Sequence, residues 1–400
     1  MEAASKKLSV LSPLPPDPAP PGVASYSAAA FTYWKHANRA TVQYDAAAWS
    51  QLHDKMAANF AAGQHVHDLV YMSSWAPEFS HFLTPIADIV PAELKADLPP
   101  SSFNGGTWDG VGYGVVFTLS LLTMFFNTEH LSLAGIQKPP ATWDELKVQA
   151  KELTRDGRYG WVSNYGQPAG IGGTASYWMA FLQQAGGKMY GDDGMPVFND
   201  APGVDALQLM LDLLPYSDPS SLANVGINDA TSAMMAGTAT MMMNWPFMWK
   251  PAQDPKISTI SGKLGSAMLP AGPAGTASID GSDAWTIVAD TKSPELAMKL
   301  IEFYLQPDVQ KRQLIDTGWL PIRMSVLQDP EVQAAAPNAA VALDQARHPC
   351  DSFVTPDYAA VTTALGTEIQ KALQGQKTAQ EAMKDGSDAV SSIVGKRPRA

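Results

Sequence analysis

Cysteine is nearly absent from this sequence: the 400 residues contain only one, Cys350. A single thiol cannot form a disulfide within the chain, and it cannot supply the several thiolates of a structural zinc site. Cys350 stands between Pro349 and Asp351 with no catalytic partner nearby, so we expect a buried or half-buried, unreactive side chain. The redox compartment stays open, because a chain with 46% hydrophobic residues can build its core without disulfides.

Positive charge is scarce as well. Lys and Arg number 27 against 39 Asp and Glu, which gives a net charge of -12 and a pI of about 5.0. A nucleic-acid-binding protein carries a basic face, whereas here only Lys396–Arg399 form a basic group, which we interpret as a solvated terminus. We therefore expect no nucleic-acid partner and no general attraction to anionic membranes.

Long hydrophobic runs are also missing. No apolar stretch reaches the ~18 residues that a membrane-spanning helix needs, and the longest candidate, Val115–Phe126, is interrupted by Thr118, Ser120 and Thr123. We therefore expect no direct membrane span. Met1–Lys7 lacks the apolar segment of a signal peptide and looks like a new start placed on a mature chain. This pattern leaves room for a signal peptide that has been removed.

The sequence signs of catalysis and metal binding are weak. Gly170–Gly173 matches neither GxGxxG nor a P-loop, and no Gly-x-Ser-x-Gly nucleophile elbow occurs. His65, His67 and Asp68 lie close together, but nothing else joins them, so we expect solvated histidines and no metal. A pair of carboxylates for sugar hydrolysis stays open. The candidates are Asp45, Glu78, Asp280 and Asp283.

What the chain does have, near its start, is an alternation of apolar strands and helices. Strands are predicted at Leu8–Leu11, Ala40–Tyr44 and Asp68–Met72, and helices at Val23–His36 and Trp49–Ala62. This β-α-β-α-β order predicts an open, mostly parallel sheet. Ligands of such sheets bind beyond the carboxyl ends of the strands. The residues at that edge are Ser12, Asp45, Ser73, Ser74 and Trp75.

A cluster of large aromatic residues follows another predicted strand. Thr231–Ala236 can form a short helix that ends at Gly237, and Thr238–Met243 suits a fully buried strand. Pro246 forbids regular structure in the segment that follows. Its large or polar side chains are Asn244, Trp245, Phe247 and Trp249. The rings either fill a core or line a cavity for a ligand with flat apolar faces, such as a sugar ring.

Eight segments of the chain match one protein family in order and spacing. They are Trp49–Gly63, His67–Ser74, Tyr113–Asn127, Ala134–Leu146, Met234–Trp245, Gly265–Gly272, Gly281–Val288 and Thr317–Arg323. The most specific is the run Gly-Ile-Gln-Lys-Pro-Pro-Ala-Thr-Trp-Asp-Glu-Leu that ends at Leu146. Over roughly Lys7–Gly395 the sequence resembles extracellular solute-binding protein family 1, the maltose-binding-protein-like carbohydrate-binding proteins of ABC importers.

The resemblance implies an α/β fold with two lobes, the type II-like periplasmic binding protein fold. Each lobe is expected to be a mostly parallel sheet flanked by helices, and a hinge would join the lobes around a central ligand cleft. Lobe 1 would comprise residues 1–117 and 271–324, and lobe 2 residues 118–270 and 325–400. The expected crossings lie near Val116–Ser120, Leu269–Pro273 and Ile322–Leu327. The first crossing agrees with Tyr113–Phe126, which is too long for one ordinary strand.

The resemblance also implies a function. It is that of a substrate-binding protein, not an enzyme, which captures a sugar or sugar derivative and delivers it to the permease subunits of an ABC transporter. A carbohydrate or polyol ligand, a monomer and no cofactor are expected. The expected location is the periplasm, or the outer surface of a Gram-positive cell through a lipid anchor. The alternatives are a hydrolase or lyase that acts on carbohydrates in its cleft, and a chemoreceptor or adhesion partner with the same fold.

Carried over residue by residue, the resemblance implies a ligand site. Its expected members in the first half of the chain are Ser12, Pro13, Asp45, Ser74, Trp75, Phe117, Thr118, Trp161, Tyr165 and Trp178. Those in the second half are Asn244, Trp245, Phe247, Trp249, Gly281, Ser282, Asp283, Trp285, Arg323 and Tyr358. Aromatic faces would stack on the C–H face of the sugar, and the polar side chains of the set would bond to its hydroxyls.

Two features leave the chemical class of the sugar open. Phe117-Thr118 is less polar than the residues sometimes found at this crossing in the family, which suggests a smaller or more apolar ligand than a long oligosaccharide. Arg323 and Arg347 could receive an anionic substituent. A neutral mono- or disaccharide or glycoside, a polyol and an anionic sugar derivative therefore remain candidates.

Overall fold

The structure is a computed structural model that describes residues 6–13, 26–63, 66–99, 106–163, 165–166, 173–218, 227–350 and 355–395. The chain forms two compact units. Unit 1 consists of Met1–Ser120, Gly281–Ala336 and Val354–Pro356. Unit 2 consists of Leu121–Asp280, Pro337–Phe353 and Asp357–Ala400. Three features of the sequence analysis lie outside the described residues. They are Gly170–Gly172 of the glycine-rich loop, His65 and the basic segment Lys396–Arg399.

The described strands are numbered in chain order. They are Lys6–Ser12 (β1), Ala40–Ala46 (β2), Leu69–Met72 (β3), Thr107–Trp108 (β4), Val111–Gly112 (β5), Gly114–Val116 (β6), Thr118–Leu119 (β7), Thr123–Asn127 (β8), Tyr159–Trp161 (β9), Ala239–Asn244 (β10), Leu264–Ala267 (β11), Ala284–Ile287 (β12) and Leu320–Pro321 (β13).

Helices accompany the strands in both units. Those of unit 1 are Tyr26–Asn38, Trp49–Ala61, Ala76–Phe79, Ala92–Ala96, Pro294–Tyr304, Pro307–Thr317, Met324–Leu327 and Pro330–Ala335. Those of unit 2 are Thr128–Leu133, Trp143–Leu153, Gly173–Gln184, Ala201–Leu213, Ile227–Met235, Trp249–Ala252, Asn338–Gln345, Tyr358–Leu373 and Ala379–Val394. Short 3-10 helices lie at Ser80–Phe82, Ala87–Ile89, Leu214–Tyr216 and Pro246–Met248.

The sheet of unit 1 has the strand order β2-β1-β3-β12-β6. Strand β1 pairs in parallel with β2 and β3, which confirms the predicted β-α-β-α-β arrangement. Strand β12 is antiparallel to both of its neighbours, β3 and β6. The sheet is therefore mixed, whereas we expected a mostly parallel one. The reason is that the chain leaves the sheet of unit 1 after β6 and returns beside that strand as β12, in the opposite direction.

The long extended run after Tyr113 is divided among three strands. Strand β6 belongs to the sheet of unit 1, β7 pairs with β13, and β8 belongs to the sheet of unit 2. The chain passes from unit 1 to unit 2 between Ser120 and Leu121, and it returns between Asp280 and Gly281. Within unit 1, the Gly281 N–H donates to the Ser120 carbonyl oxygen (2.7 Å).

The sheet of unit 2 has the order β11-β8-β10-β9, in which β10 is antiparallel to β8 and parallel to β9. All six residues of β10 are buried. A strand covered on both faces needs apolar residues at successive positions, which explains the Met-rich run without alternation. The predicted buried strand is thus confirmed. The preceding helix, Ile227–Met235, starts earlier than expected, and Gly237 follows it in the left-handed conformation (φ 73°).

We expect Met242 to contribute strongly to the stability of unit 2. Its side chain is fully buried in a core cluster with Phe125, Met234 and Leu264. Met242→Ala should lower the free energy of unfolding by about 2–5 kcal/mol, because it removes buried contacts and leaves a cavity. Met268→Ala is a matched control in the same unit, with a side chain 40% exposed, and should cost less than about 0.5 kcal/mol.

The measurement is urea unfolding followed by circular dichroism, with the unfolding transitions of the two variants compared with that of the unaltered protein. Similar losses for Met242→Ala and Met268→Ala would contradict the burial of β10.

Candidate functional site

In unit 1, four aromatic rings meet where β3, β6, β7, β12 and β13 come together. We call Tyr71, Phe117, Trp285 and Trp319 the unit 1 aromatic group. Phe117 and Trp285 are stacked, with ring centroids 5.1 Å apart, and Tyr71 meets both edge-on. Trp319 lies 6.4 Å from Phe117 with its plane tilted by 21°. The first three rings are buried, so the half-buried Trp319 is the member that solvent reaches most.

A carboxylate is attached to this group. Asp283, the residue before β12, is 7% exposed, and the Tyr71 hydroxyl donates a hydrogen bond to its Oδ2. Burial, reinforced by the Asp283 charge, raises the pKa of Tyr71 well above its ordinary value, so this hydroxyl stays protonated and donating. The arrangement places a buried hydrogen-bond acceptor beside apolar aromatic faces. A sugar needs both, because its hydroxyls donate to the acceptor and its C–H face contacts the aromatic rings.

Three other predicted residues of this region stabilise the strands around the group. The Thr118 hydroxyl donates to the Leu320 carbonyl oxygen (2.9 Å), and the Ser282 hydroxyl accepts from the Ser120 N–H (2.9 Å). Gly281 bonds to the Ser120 carbonyl through its backbone N–H. These contacts hold β7 against β13 and fix the segment that leads into β12.

The predicted residues at the ends of β1 and β3 form a second region of unit 1. Ser12 is buried, whereas Pro13 and Ser74 are half-buried. Trp75 is fully buried, and its ring lies 5.7 Å from that of Trp49 and 5.4 Å from that of His53. These contacts make Trp75 part of the packing between β3 and the helix Trp49–Ala61.

Asp45 is already neutralised within unit 1. Its carboxylate accepts a hydrogen bond from Lys55 Nζ (2.6 Å), and its other oxygen lies 3.1 Å from His67 Nε2. The Lys55 bond, assisted by His67 and opposed by burial, lowers the pKa of Asp45. His67 is only 4% exposed, so the expectation of a solvated histidine was wrong at this position, because the half-buried Asp45 and Asn59 offer polar partners to its ring nitrogens.

Arg323 is also engaged. Its Nε donates to Asp97 Oδ2 (2.6 Å), and its Nη1 donates to the Leu305 carbonyl oxygen (3.0 Å). Burial raises the pKa of Asp97, but the bonds from Ser325 and Arg323 outweigh that effect and hold it below its ordinary value. The guanidinium therefore serves the packing of unit 1.

In unit 2, rings from β9, from the turn after it, from the helix Gly173–Gln184 and from the segment after β10 form a second cluster. We call Trp161, Tyr165, Tyr177 and Trp245 the unit 2 aromatic group. Tyr177 meets Tyr165 edge-on at 6.0 Å and Trp245 edge-on at 5.9 Å. Burial raises the pKa of Tyr165, and the neighbouring Trp161 indole opposes this rise. Three of these rings are buried, and Trp245 is half-buried.

Asn244 positions Trp245. Its side-chain oxygen accepts from the Trp245 backbone N–H (2.8 Å), and its amide nitrogen donates to the Thr231 hydroxyl (2.9 Å). Asn244 itself is fully buried at the end of β10. The amide thus fixes the direction in which the chain leaves the strand, just before the Pro246–Met248 turn.

The remaining predicted residues of unit 2 lie in different surroundings. Trp178 is fully buried, its indole N–H donates to the Gly203 carbonyl oxygen (3.0 Å), and its ring packs on Phe198. It therefore holds two helices together. Phe247 and Trp249 are half-buried, and Trp249 packs against the core cluster that contains Met242. Tyr358 is buried at the start of the helix Tyr358–Leu373.

Three members of the two aromatic groups were missed by the sequence reasoning. Tyr71 lies inside a buried strand, and the signal was a hydroxyl-bearing residue in an otherwise apolar run. Trp319 lies in the matched segment Thr317–Arg323, between a left-handed Gly318 and the short β13. Tyr177 precedes Trp178 on the same helix, and the sequence alone does not tell which of the two rings faces the end of β10.

Among the described residues, no three His, Cys, Asp or Glu side chains are grouped so that they could hold a metal ion. In the same part of the chain, no helix combines the length and the apolar character needed to cross a bilayer. Cys350 is buried, as expected.

Comparison with known protein families shows that residues 19–311 match the bacterial extracellular solute-binding proteins. A probable ABC transporter-binding protein of Deinococcus radiodurans is 28% identical over 278 residues, which are 67% of this chain. The match spans 65% of the length of that relative.

Two solved structures share the fold. The structure of maltose-bound MalE3 from T. maritima has a TM-score of 0.85 at 24% identity, and the match covers 97% of this chain and 99% of that one. The solute-binding protein of an ABC transporter from Agrobacterium radiobacter K84, in complex with ribitol, has a TM-score of 0.84 at 23% identity. That match covers 97% of this chain and 98% of the other. The two-lobe α/β fold class predicted from the sequence is thereby confirmed.

The contacts of Arg323 predict a stability role with a definite pH dependence. Arg323→Gln should lower the free energy of unfolding at pH 7 by about 1–3 kcal/mol, because it removes a charged hydrogen-bond partner of Asp97. The folded-state pKa of Asp97 is lowered, so its contribution is present above the unfolded-state pKa and is lost as pH falls through the folded-state value. The difference between the two proteins should therefore shrink below about pH 4.

Arg347→Gln is the matched control, because Arg347 is 77% exposed and pairs only at the surface with Asp344 (3.2 Å). Urea unfolding between pH 3 and pH 8 measures both variants. An unchanged stability of Arg323→Gln together with weaker ligand binding would return Arg323 to the ligand site.

Proposed function

Because the chain belongs to the family of bacterial extracellular solute-binding proteins, we propose that it is the substrate-binding protein of an ABC transporter and that its ligand is a sugar or polyol. The maltose and ribitol complexes of proteins with the same fold support this ligand class. In this role the protein acts as a monomer outside the cytoplasmic membrane, either in the periplasm or held by a lipid anchor. It delivers its ligand to the permease subunits, and units 1 and 2 are the two lobes of the fold.

The observation that carries the proposal is one partly exposed tryptophan in each aromatic group. Trp319 rests beside the buried Phe117, and Trp245 rests against the edge of the buried Tyr177. A ring held by buried neighbours loses little conformational freedom when a ligand binds to it. Such a ring offers a flat apolar surface for the C–H face of a sugar.

The polar groups next to these rings fit the same class of ligand. The Asp283 carboxylate in unit 1 is a charged hydrogen-bond acceptor beside Tyr71, Phe117 and Trp285. In unit 2, the Tyr165 hydroxyl lies within the aromatic group. A carboxylate binds a hydroxyl strongly in an apolar setting. Asp283 therefore favours a ligand rich in hydroxyls over an apolar ligand.

A neutral ligand fits better than an anionic one. Arg323 and Arg347 are the two arginines that could have received an anionic substituent. The first is bonded to Asp97, and the second forms an exposed pair with Asp344. An anionic ligand near Asp283 would meet a like charge in a buried setting, which is costly. The ligand that we propose is therefore an uncharged sugar or polyol.

A catalytic pair of carboxylates is not favoured by the contacts. Asp45 is paired with Lys55, Glu78 lies 3.0 Å from His53 through its carboxylate, and Asp283 accepts from Tyr71. The family consists of binding proteins, in agreement with a role in capture. We therefore propose binding without conversion of the ligand.

We expect a matching neutral sugar or polyol to raise the melting temperature without being consumed. A ligand at about 100 times its Kd adds about 2.7 kcal/mol to the free energy of unfolding, because it binds only the folded state. The measurement is a thermal-shift panel that contains maltose, ribitol and other neutral sugars and polyols, with glucose 6-phosphate and glucuronate as anionic controls.

Chromatography of the ligand after incubation tests for conversion. If only the anionic compounds stabilise the protein, the neutral class is wrong; if no member of a broad panel does, the ligand class as a whole is wrong.

We expect Trp245→Ala and Trp319→Ala to weaken binding of the ligand found in the panel by about tenfold or more, because each removes a large stacking surface, and tenfold corresponds to about 1.4 kcal/mol. Both side chains are half-buried, so the fold should survive. Tyr33→Ala removes a ring that is 77% exposed on the helix Tyr26–Asn38 and serves as the control.

Isothermal titration gives the Kd values, and circular dichroism verifies the fold. Unfolding of the two tryptophan variants would assign their rings to the core. Unchanged Kd values in folded variants would remove the aromatic groups from the ligand site.

A further inference from the structure

Ser163 lies two residues beyond the end of β9, and the sequence reasoning did not single it out. Along an extended segment alternate residues share a face, so Trp161 and Ser163 are on one side and Val162 is on the other. Val162 packs in the core cluster with Met242. The Val162 N–H still donates to the Met241 carbonyl oxygen (3.0 Å), which extends the β9–β10 ladder to this point.

The hydroxyl of Ser163 is buried without a protein partner among the described residues. The residue is 4% exposed, and no donor or acceptor of the described part of the chain bonds to its Oγ. Two other buried hydroxyls of unit 2, by contrast, are bonded: Ser278 Oγ donates to the Leu122 carbonyl oxygen (2.7 Å), and Thr174 Oγ1 donates to that of Tyr165 (2.6 Å). Burying an unbonded hydroxyl costs stability, so its presence calls for an explanation.

The position of Ser163 supplies that explanation. It is two residues from Trp161 and two from Tyr165, both members of the unit 2 aromatic group. It also follows the carboxyl end of β9, which runs parallel to β10, and β10 ends immediately before Trp245. Carboxyl ends of neighbouring parallel strands are where α/β sheets bind ligands. The unbonded hydroxyl thus lies just beyond the carboxyl end of β9, beside the strand that leads into Trp245, the ring of unit 2 to which we assign sugar contact.

We propose that Ser163 is a specificity-determining residue whose hydroxyl bonds to a hydroxyl of the bound sugar or polyol. The inference rests on the proposed function and deepens it, because it makes hydrogen bonding at this position a requirement for the ligand. In the ligand-free protein the residue lowers stability, and in the complex it gains the partner that the protein does not supply. A ligand without a hydroxyl at this point leaves the group unbonded, as it is in the ligand-free protein, and it therefore binds more weakly than a ligand that supplies the bond.

The test compares Ser163→Ala with Ser266→Ala. Ser266 is a matched control, because its Oγ is also buried without a partner among the described residues, and it lies on β11, at the opposite edge of the same sheet. Isothermal titration with maltose and with ribitol gives the Kd of each variant, and thermal unfolding without ligand gives its stability.

For Ser163→Ala we expect a Kd about three- to tenfold higher than that of the unaltered protein, with a ligand-free melting temperature that is equal or higher. For Ser266→Ala the Kd should not change. Ser163→Cys, which is close in shape and a weaker hydrogen-bond partner, should fall between Ser163→Ala and the unaltered protein, and it carries the test if the alanine variant does not fold.

Each other outcome overturns the inference in a recognisable way. If the unaltered protein binds and the Ser163 variants bind within twofold of it, the proposed function stands and the role of Ser163 fails. If Ser163→Ala loses several degrees of ligand-free melting temperature, the hydroxyl is structural. If neither maltose nor ribitol binds to the unaltered protein, the inference about Ser163 fails for these ligands; the proposed function fails with it only if the whole neutral panel also leaves the melting temperature unchanged.

Discussion

The burial of β10 on both faces is the constraint on which unit 2 depends. Its six buried residues leave no freedom of register, because a slip by one position would move every side chain to the other face. The strand ends at Asn244, whose side chain bonds to the Trp245 backbone and to Thr231. A well-packed core thus fixes the starting point of the Trp245–Trp249 segment. The partly exposed ring of Trp245 is therefore held by the strand, the amide and Tyr177 together.

The regular parts of both units could be predicted from the sequence. Strands β1, β3 and β10 stand out as apolar runs bounded by helices, by Gly237 or by Pro246, and their physical signal is local. Strand β2 is more polar and was recognised from its place between two predicted helices. The antiparallel insertion of β12 beside β6 could not be read in this way, because the two strands are far apart in the sequence. An overlong extended run in the sequence indicates that the chain crosses between two units. It does not indicate which other strands the parts of that run pair with.

The candidate site was less accessible to sequence reasoning, because a polar residue type does not reveal what it is bonded to. Asp45 and Arg323 have suitable chemistry for a ligand, yet Lys55 and Asp97 already bond to them. Conversely, Tyr71 and Trp319 looked like strand and loop residues, although they lie beside Phe117. Ser163 carried no pattern at all. Its importance arises from an unbonded buried oxygen, which only a three-dimensional arrangement can show.

The central claim is that a neutral sugar or polyol binds against the aromatic groups. A crystal structure of the protein with the neutral compound that stabilises it most tests this claim directly. It should show the C–H face of the ligand on Trp245 or Trp319, with a ligand hydroxyl within hydrogen-bond distance of Asp283 or Ser163. A ligand bound elsewhere, for example beside Asp45 and His67, with both tryptophan rings in contact with protein or solvent alone, would contradict it.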